Sequence, residues 1–257
     1  MGTGISATVS TRATTSPREI LLCGGGIDSF VAWHYLGKPQ ALYFDLGDRN
    51  RDHEYRALDT LARRHGIRLV VSRELDLGAW ELQDGVIPMR QLHLAILACH
   101  RADTVWCVAL KGNHGADKSS PAFERLSKII SEVAGRNIRI DSPFRDMTKT
   151  EVVRWYVDQS LPVDALTSTH SCMTPRGASL HCGRCAGCVR RWVALANNGI
   201  EAKFAESPWL WEQVREFDSR QDGQLESLPG LSAEELRMAR GSRRVQVPSP
   251  EGGLGSR

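Results

Sequence analysis

The chain has 257 residues, 33 basic and 30 acidic side chains and a net charge of +3, a balance too mild to demand nucleic acid or an anionic membrane as partner. A hydrophobic content of 41% supports one sizeable α/β domain with an appendage. No apolar run approaches the roughly 20 residues that cross a bilayer, and no charged stretch leads into a hydrophobic one at the N-terminus, so a cytoplasmic protein is expected.

Residues 1–17 are rich in Ser, Thr and Gly without periodicity and read as a flexible leader. Met1-Gly2 followed by Ser6 meets the bare myristoylation pattern, but its surroundings are not membrane-like. The run from Ile20 to Ser29 (Ile-Leu-Leu-Cys-Gly-Gly-Gly-Ile-Asp-Ser) then reads as a strand over 19–22, a turn, and a helix over 29–36. Glycines let a backbone approach an anion closely and take positive φ, while a following helix N-terminus offers unpaired N–H groups and a positive dipole end. Phosphate is the natural guest, and tight packing is the plain alternative. A dinucleotide fingerprint with Asp45 or Asp48 as its ribose acid lacks its third glycine, because Ser29 stands there. A Walker loop is excluded, since no Gly-Lys-Ser/Thr follows the turn.

A strand over 41–44, a helix over 53–65 and a strand over 69–72 continue the alternation, which implies right-handed crossovers and a parallel sheet. The segment Tyr43-Phe44-Asp45-Leu46-Gly47-Asp48-Arg49 reaches the carboxyl edge beside the first turn, where Phe44 and Asp45 face a base or ribose, unless this is only a strand-ending turn. A helix over 90–101 carries Leu92, Ile96, Leu97 and Cys99 on its apolar side. Arg90, Gln91 and His93 open it toward the same edge, so Arg90 meets a carboxylate or phosphate there or is merely a surface cation. A buried strand over 104–109 leads to a turn over 110–115 at its carboxyl end, where ligands of open α/β sheets collect. A helix over 121–134 with an early proline, a strand over 138–141, and a helix over 149–159 preceded by Thr148 complete the pattern. Lys149 enters that last helix placed to neutralise phosphate, or is simply solvated. The seven tryptophans read as packing residues, with no aromatic stripe interleaved with basic residues. Cys23, Cys99 and Cys107 sit in apolar surroundings as core thiols.

Cys172, Cys182, Cys185 and Cys188 are spaced C-x9-C-x2-C-x2-C, and such short spacers wrap several thiolates around one ion. Four soft ligands suit tetrahedral zinc. Gly183 and Gly187 supply unusual backbone angles, while Arg184, Arg190 and Arg191 offset the negative charge. An iron–sulfur cluster is the main rival, although the ferredoxin run continues to a fourth cysteine and proline, and a redox dithiol is a weaker one. His170 and His181 read as neighbours of the site, since four cysteines already complete the set. With no open position the zinc is expected to be structural, one per chain. Residues 207–240 read as a helical region offering a contact for a homodimer, and 241–257 as a flexible tail.

The glycine turn resembles the PP-loop of ATP pyrophosphatases, Ser-Gly-Gly-x-Asp-Ser, with Gly25, Gly26, Asp28 and Ser29 matching and Gly24 in place of the first serine. Taken in order with Phe44 to Arg49, Pro88-Met89-Arg90-Gln91, Thr148-Lys149-Thr150-Glu151 and the cysteines, it makes residues 19–200 resemble the 7-cyano-7-deazaguanine synthase family. The resemblance implies a doubly wound α/β domain of the PP-loop type over 18–165, with a zinc knuckle and helical region over 166–240. It also implies that ATP activates the carboxylate of 7-carboxy-7-deazaguanine, that ammonia displaces AMP to give an amide, and that a second ATP-driven step yields the nitrile. An acyl-adenylate expels AMP far more readily than a carboxylate expels oxide, and a helix N-terminus with Mg²⁺ stabilises the departing pyrophosphate. On the matching positions, Cys23, Gly24, Gly25, Gly26, Asp28 and Ser29 meet the nucleotide, Asp28 through Mg²⁺, while Lys149 neutralises phosphate and Arg90 meets substrate or phosphate.

Three departures matter. Gly24 removes a hydroxyl donor to phosphate, while Pro88-Met89-Arg90-Gln91 replaces Pro-Gly-Arg-Asn and Lys118-Ser119-Ser120-Pro121-Ala122-Phe123 replaces Tyr-Pro-Asp-Cys-Arg, and the resemblance implies that these last positions face the substrate. They suggest a divergent relative that activates another acid or conjugates a deazaguanine. A tRNA-modifying enzyme would be expected to add an RNA-binding domain and catalytic cysteines, and neither is evident. A non-catalytic nucleotide sensor is the alternative from a different class.

Overall fold

The structure is a computed structural model that describes residues 18–112, 116–174, 181–217, 231–242 and 245–246. The leader and most of the tail fall outside these residues, as does part of the 110–115 turn. Strands β1 (Glu19–Leu22), β2 (Gln40–Phe44), β3 (Leu69–Ser72), β4 (Thr104–Trp106) and β5 (Arg139–Asp141) form one parallel sheet in the order β3-β2-β1-β4-β5. Leu21 pairs with Ala41 on one side and Trp106 on the other, which fixes β1 at the centre.

Strand alternation sorts the core into two layers. Leu21, Ala41 and Tyr43 pack with helices α1 (Ile27–Tyr35), α2 (Arg51–His65), α5 (Lys149–Asp158) and α7 (Ala186–Ala196). Ile20, Leu22, Leu42, Phe44, Val105 and Ile140 face α3 (Arg90–Cys99) and α4 (Ser120–Ala134) on the opposite side. The sheet is doubly wound, and burial on both faces explains why its strands read as continuous apolar runs.

Local chemistry sets the helix ends. Ser119 accepts from Ala122 N at the start of α4, Pro121 occupies its first turn, and Gly135 closes it at φ 61°. Thr148 and Glu151 form a reciprocal capping box that begins α5 at Lys149. Helix α1 starts at Ile27, two residues earlier than periodicity suggested, because Gly26 takes the extended N-cap conformation. Strand β4 ends at Trp106 and not at 109: the chain departs from the ladder, with Ala109 N donating to Ser142 Oγ at 3.1 Å. Within 207–240 the described helices are a 3₁₀ turn over Pro208–Leu210, α8 (Glu212–Phe217) and the start of α9 (Ala233–Ser242). A short α6 (Val163–Thr167) precedes the first cysteine of the cluster.

Candidate active site and cysteine cluster

The strand order reverses between β1 and β4, and a cleft of about 310 Å³ opens there at the carboxyl ends of the strands, the usual ligand position in an open α/β sheet. Gly24, Gly25, Gly26, Asp28 and Ser29 line it. Cys23 N donates to Leu42 O at 2.9 Å as the last ladder bond, after which the chain turns into α1. None of the three glycines has positive φ, contrary to one reason given for their presence. Crowding is the reason at Gly25, where a Cβ would lie 2.5 Å from the backbone oxygen of Glu54. At Gly24 the nearest atom to a Cβ is Glu54 Oε2 at 3.7 Å, an ordinary contact, so the fold tolerates a side chain there. Ser29 donates its hydroxyl proton to Gly24 O at 2.7 Å, committing it to bracing the turn.

Lys149 Nζ lies 2.6 Å from both carboxylate oxygens of Asp28. Burial depresses the lysine pKa, and Asp28 works against that shift. The α5 capping box therefore delivers its first residue to the first turn of α1. Arg90 Nη1 approaches the 8%-exposed Asp48 at 3.8 Å. Burial raises the Asp48 pKa, with Arg90 opposing it. Met89 precedes Arg90 at φ 56°, a left-handed conformation rarely taken by its residue type.

Two expected nucleotide residues do not reach the cleft as free groups. Asp45 turns away to Arg73 Nε at 3.3 Å and accepts from Gly47 N, because one residue beyond β2 the alternation points it off the cleft edge. The Cys23 thiol lines the cleft but burial pushes its pKa up to about 12, leaving it a neutral packing group. Phe44 lines the cleft from the α3 layer. Glu54 and Arg190 line it as well and were not expected, and Lys118 joins them from the segment that the resemblance set against the substrate. Burial, followed by repulsion from Arg90, lowers the Lys118 pKa, while burial lowers that of Arg190. Only the position of Arg190 two residues beyond Cys188 gave a hint of this. Lys118 arrives on a turn whose neighbour Asp117 accepts from Gln91 N at 3.1 Å.

The Sγ atoms of Cys172, Cys182, Cys185 and Cys188 all lie within 4.8 Å of one another, with 3.8 Å between Cys182 and Cys188. Four sulfurs about 2.3 Å from a tetrahedral zinc are separated by about 3.8 Å. The set suits a single ion better than a cluster, whose ligands spread over separate irons. Cys182 N, Arg184 N and Met173 N donate to the sulfurs of Cys172, Cys182 and Cys185 at 3.2 to 3.4 Å. The four thiols titrate together: Cys172 holds Cys182 and Cys185 below the ordinary thiol range while Cys188 and Cys172 itself are pushed above it, so the protons the set retains are shared within it. Gly183 has φ 81°, and a Cβ on it would lie 1.9 Å from Glu206 O. His181 Nε2 accepts from Ser171 N, and His170 Nε2 contacts Cys172 O, so both are neighbours of the sulfurs and not members of the set.

The cluster touches the glycine turn through the chain. His170 N donates to Gly25 O at 2.6 Å. Arg191, 1% exposed, holds the same segment through Thr169 Oγ1 at 2.6 Å and the carbonyls of Leu166 and Thr167.

Fold and site together define a doubly wound α/β protein of the PP-loop type with a buried four-cysteine cluster beside its glycine turn. The family model of the queuosine biosynthesis protein QueC matches residues 81–199. The 7-cyano-7-deazaguanine synthase of Paracoccus denitrificans is 28% identical over 232 residues, covering 77% of this chain and 97% of the relative. That of Persephonella marina is 26% identical over 227 residues, covering 74% and 95%. A shorter match, 31% identical over 90 residues, covers 34% of this chain and 39% of the Methanocaldococcus jannaschii synthase. The chain is thus similar to the QueC protein over residues 81–199 and to 7-cyano-7-deazaguanine synthases over about three quarters of its length. No helix among the described residues is long and apolar enough to cross a membrane.

Proposed function

We propose that the protein uses ATP to activate a carboxylate and hands the acyl group to ammonia, with 7-carboxy-7-deazaguanine or a close relative as the acid. The observation that carries this reading is the pairing of a glycine turn at a helix N-terminus with four cationic side chains, Arg90, Lys118, Lys149 and Arg190, around one cleft. A triphosphate needs that excess of positive charge and those free N–H groups. In this reading the first turn of α1 receives the pyrophosphate end, Lys149 and Lys118 neutralise charge developing on the leaving group, and Asp28 orients Lys149 or meets the Mg²⁺ that accompanies ATP. Arg90 holds the acid or a phosphate. No side chain has to serve as nucleophile, so positioning and preorganised charge supply most of the acceleration.

Cys172, Cys182, Cys185 and Cys188 would hold one zinc ion, whose contribution is structural because all four positions are taken by protein. Its effect on the reaction runs through His170, which fixes Gly25.

Lys118 favours a second reading of the substrate. It brings a cation to the cleft where the family carries Tyr-Pro-Asp-Cys-Arg, so an acid with additional negative charge, or a deazaguanine conjugate, fits this chain as well as the family substrate does. The test is product analysis with ATP, ammonium and 7-carboxy-7-deazaguanine. AMP release with conversion of the acid to amide or nitrile is expected. Turnover only with another acid keeps the chemistry and replaces the substrate, whereas nucleotide binding without turnover by any acid overturns the reading.

A further inference from the structure

Glu54 is a cleft carboxylate whose oxygens make no hydrogen bond to a described residue. It stands in the first turn of α2, and its Oε2 lies 3.7 Å from where a Cβ on Gly24 would be. The other acids of the site are engaged: Asp28 holds Lys149, Asp48 faces Arg90, and Asp117 accepts from Gln91 N. Glu54 N donates to Asn50 O at 3.0 Å, while its carboxylate meets the cations Arg90 and Lys118 only through their field, with no close ion pair to either among the described residues. Burial makes its charge costly and raises its pKa, Asp48 adds to the effect, and Arg90 and Lys118 oppose it. Tyr43 and Cys23 also pack near it, and the pKa of each is raised by burial, so both stay neutral.

An unpaired acid is a poor neighbour for triphosphate, and what it accepts must be a cation or an N–H donor. Mg²⁺ fits badly, since it demands several oxygen ligands in octahedral array. The reaction proposed above supplies another cation. Its nucleophile is ammonia, which at neutral pH is almost wholly ammonium and has no lone pair to donate. We propose that Glu54 binds the ammonium ion beside the glycine turn and takes its proton, releasing ammonia onto the activated acyl carbon.

The proposal rests on the acyl-activation reading. One N–H proton passes to the Glu54 carboxylate, and the freed nitrogen lone pair forms the C–N bond. The C–O bond to the adenylate phosphate then breaks, its electron pair leaving with AMP. The second surplus proton leaves the nitrogen for phosphate or solvent, and Glu54 returns its own to water. Gly24 belongs to the same device: with no side chain at that position, nothing intervenes between the carboxylate and the cleft.

The test compares nucleophiles in the full chain with ATP, Mg²⁺ and 7-carboxy-7-deazaguanine, or whichever acid the wild type turns over. ATP–pyrophosphate exchange reads activation, amide formation reads ammonium use, and hydroxamate formation reads hydroxylamine, which is already neutral. Glu54→Gln is expected to keep exchange and hydroxamate formation close to wild type while ammonium turnover falls about 100-fold, the scale of a lost general base. The residual ammonium turnover of the variant should climb with pH in step with the fraction of free ammonia. Exchange falling in parallel would assign Glu54 to nucleotide or metal. Equal losses with both nucleophiles, or no loss, would overturn the proposal too. Should Glu54→Gln not fold, Glu54→Asp, which draws the carboxylate back by one methylene, must show the same bias against ammonium. A wild type without exchange sinks the activation reading itself, and the proposal with it.

Discussion

At Gly24 and Gly25, adjacent glycines of the same turn carry different constraints. Gly25→Ala drives a Cβ to 2.5 Å from the Glu54 carbonyl, a backbone atom that cannot swing aside, whereas the Cβ of Gly24→Ser meets nothing closer than 3.7 Å. Overpacking of this kind costs about 1 to 3 kcal/mol. Thermal denaturation should therefore show a clear loss for Gly25→Ala and little change for Gly24→Ser, and equal losses would contradict the close approach. Lys149→Ala removes a cation and leaves Asp28 unpaired near the expected phosphate, so ATP affinity by calorimetry should fall about tenfold or more. Arg73→Ala disturbs only the Asp45 pair outside the cleft and should leave that affinity unchanged. Sequence made Asp28 and the turn legible because their spacing is local, and Lys149 because it opens a helix directly after Thr148. Lys118 was placed by the resemblance alone, and Glu54 was not legible, since it comes to the cleft through the packing of α2 against the glycine turn. Asp45 was misplaced because one residue decides which side of a strand end a side chain takes.

Helix ends carry their own signals, and elements bounded by them were the most readable. Thr148 with Glu151, Pro121 in the first turn of α4, and the left-handed Gly66 and Gly135 mark their helices in sequence as they do in space. The start of α1 lacked such a mark, since Gly26 caps without a side chain. The end of β4 lacked one too, because the chain stays apolar after the ladder is left, with Cys107 and Ala109 buried and Val108 half-buried between them. Two caps of similar strength separate fold from function. Gly135→Ala places a side chain at φ 61° with open space around it, and Thr148→Ala deletes one bond of the capping box; each should cost about 1 kcal/mol in urea unfolding. Only Thr148→Ala loosens the residue that presents Lys149, so turnover should fall in that variant and persist in the other. Equal activities would mean that α5 holds its N-terminus without the cap.

For the molecule as a whole, the four cysteines were legible as a metal set, but their attachment to the glycine turn was not, because it runs through the backbone N–H of His170. One zinc per chain is the expected elemental analysis, and Cys185→Ser should lose both metal and cooperative folding; iron with visible absorption would overturn the assignment. A second acid-sensitive element lies away from the cluster. His34 packs edge-on to Phe30, Trp33 and Tyr156. Burial, reinforced by Lys38 and His65, lowers its pKa to about 4, and burial lowers that of His65 as well. Below the ordinary histidine range near 6.5 the unfolded chain takes up protons that the folded chain refuses, so unfolding gains from acid. Stability contributed by these residues is complete above about pH 6.5, declines as pH falls, and for His34 levels off near pH 4, where the folded form also protonates. Metal loss in acid produces a decline of its own, so the measurement must be a difference: urea midpoints of wild type and His34→Phe across this range. The variant, with no proton to refuse at that position and a ring that fills the same aromatic pocket, should lose less stability on acidification. Parallel curves would mean that His34 contributes none of the acid sensitivity.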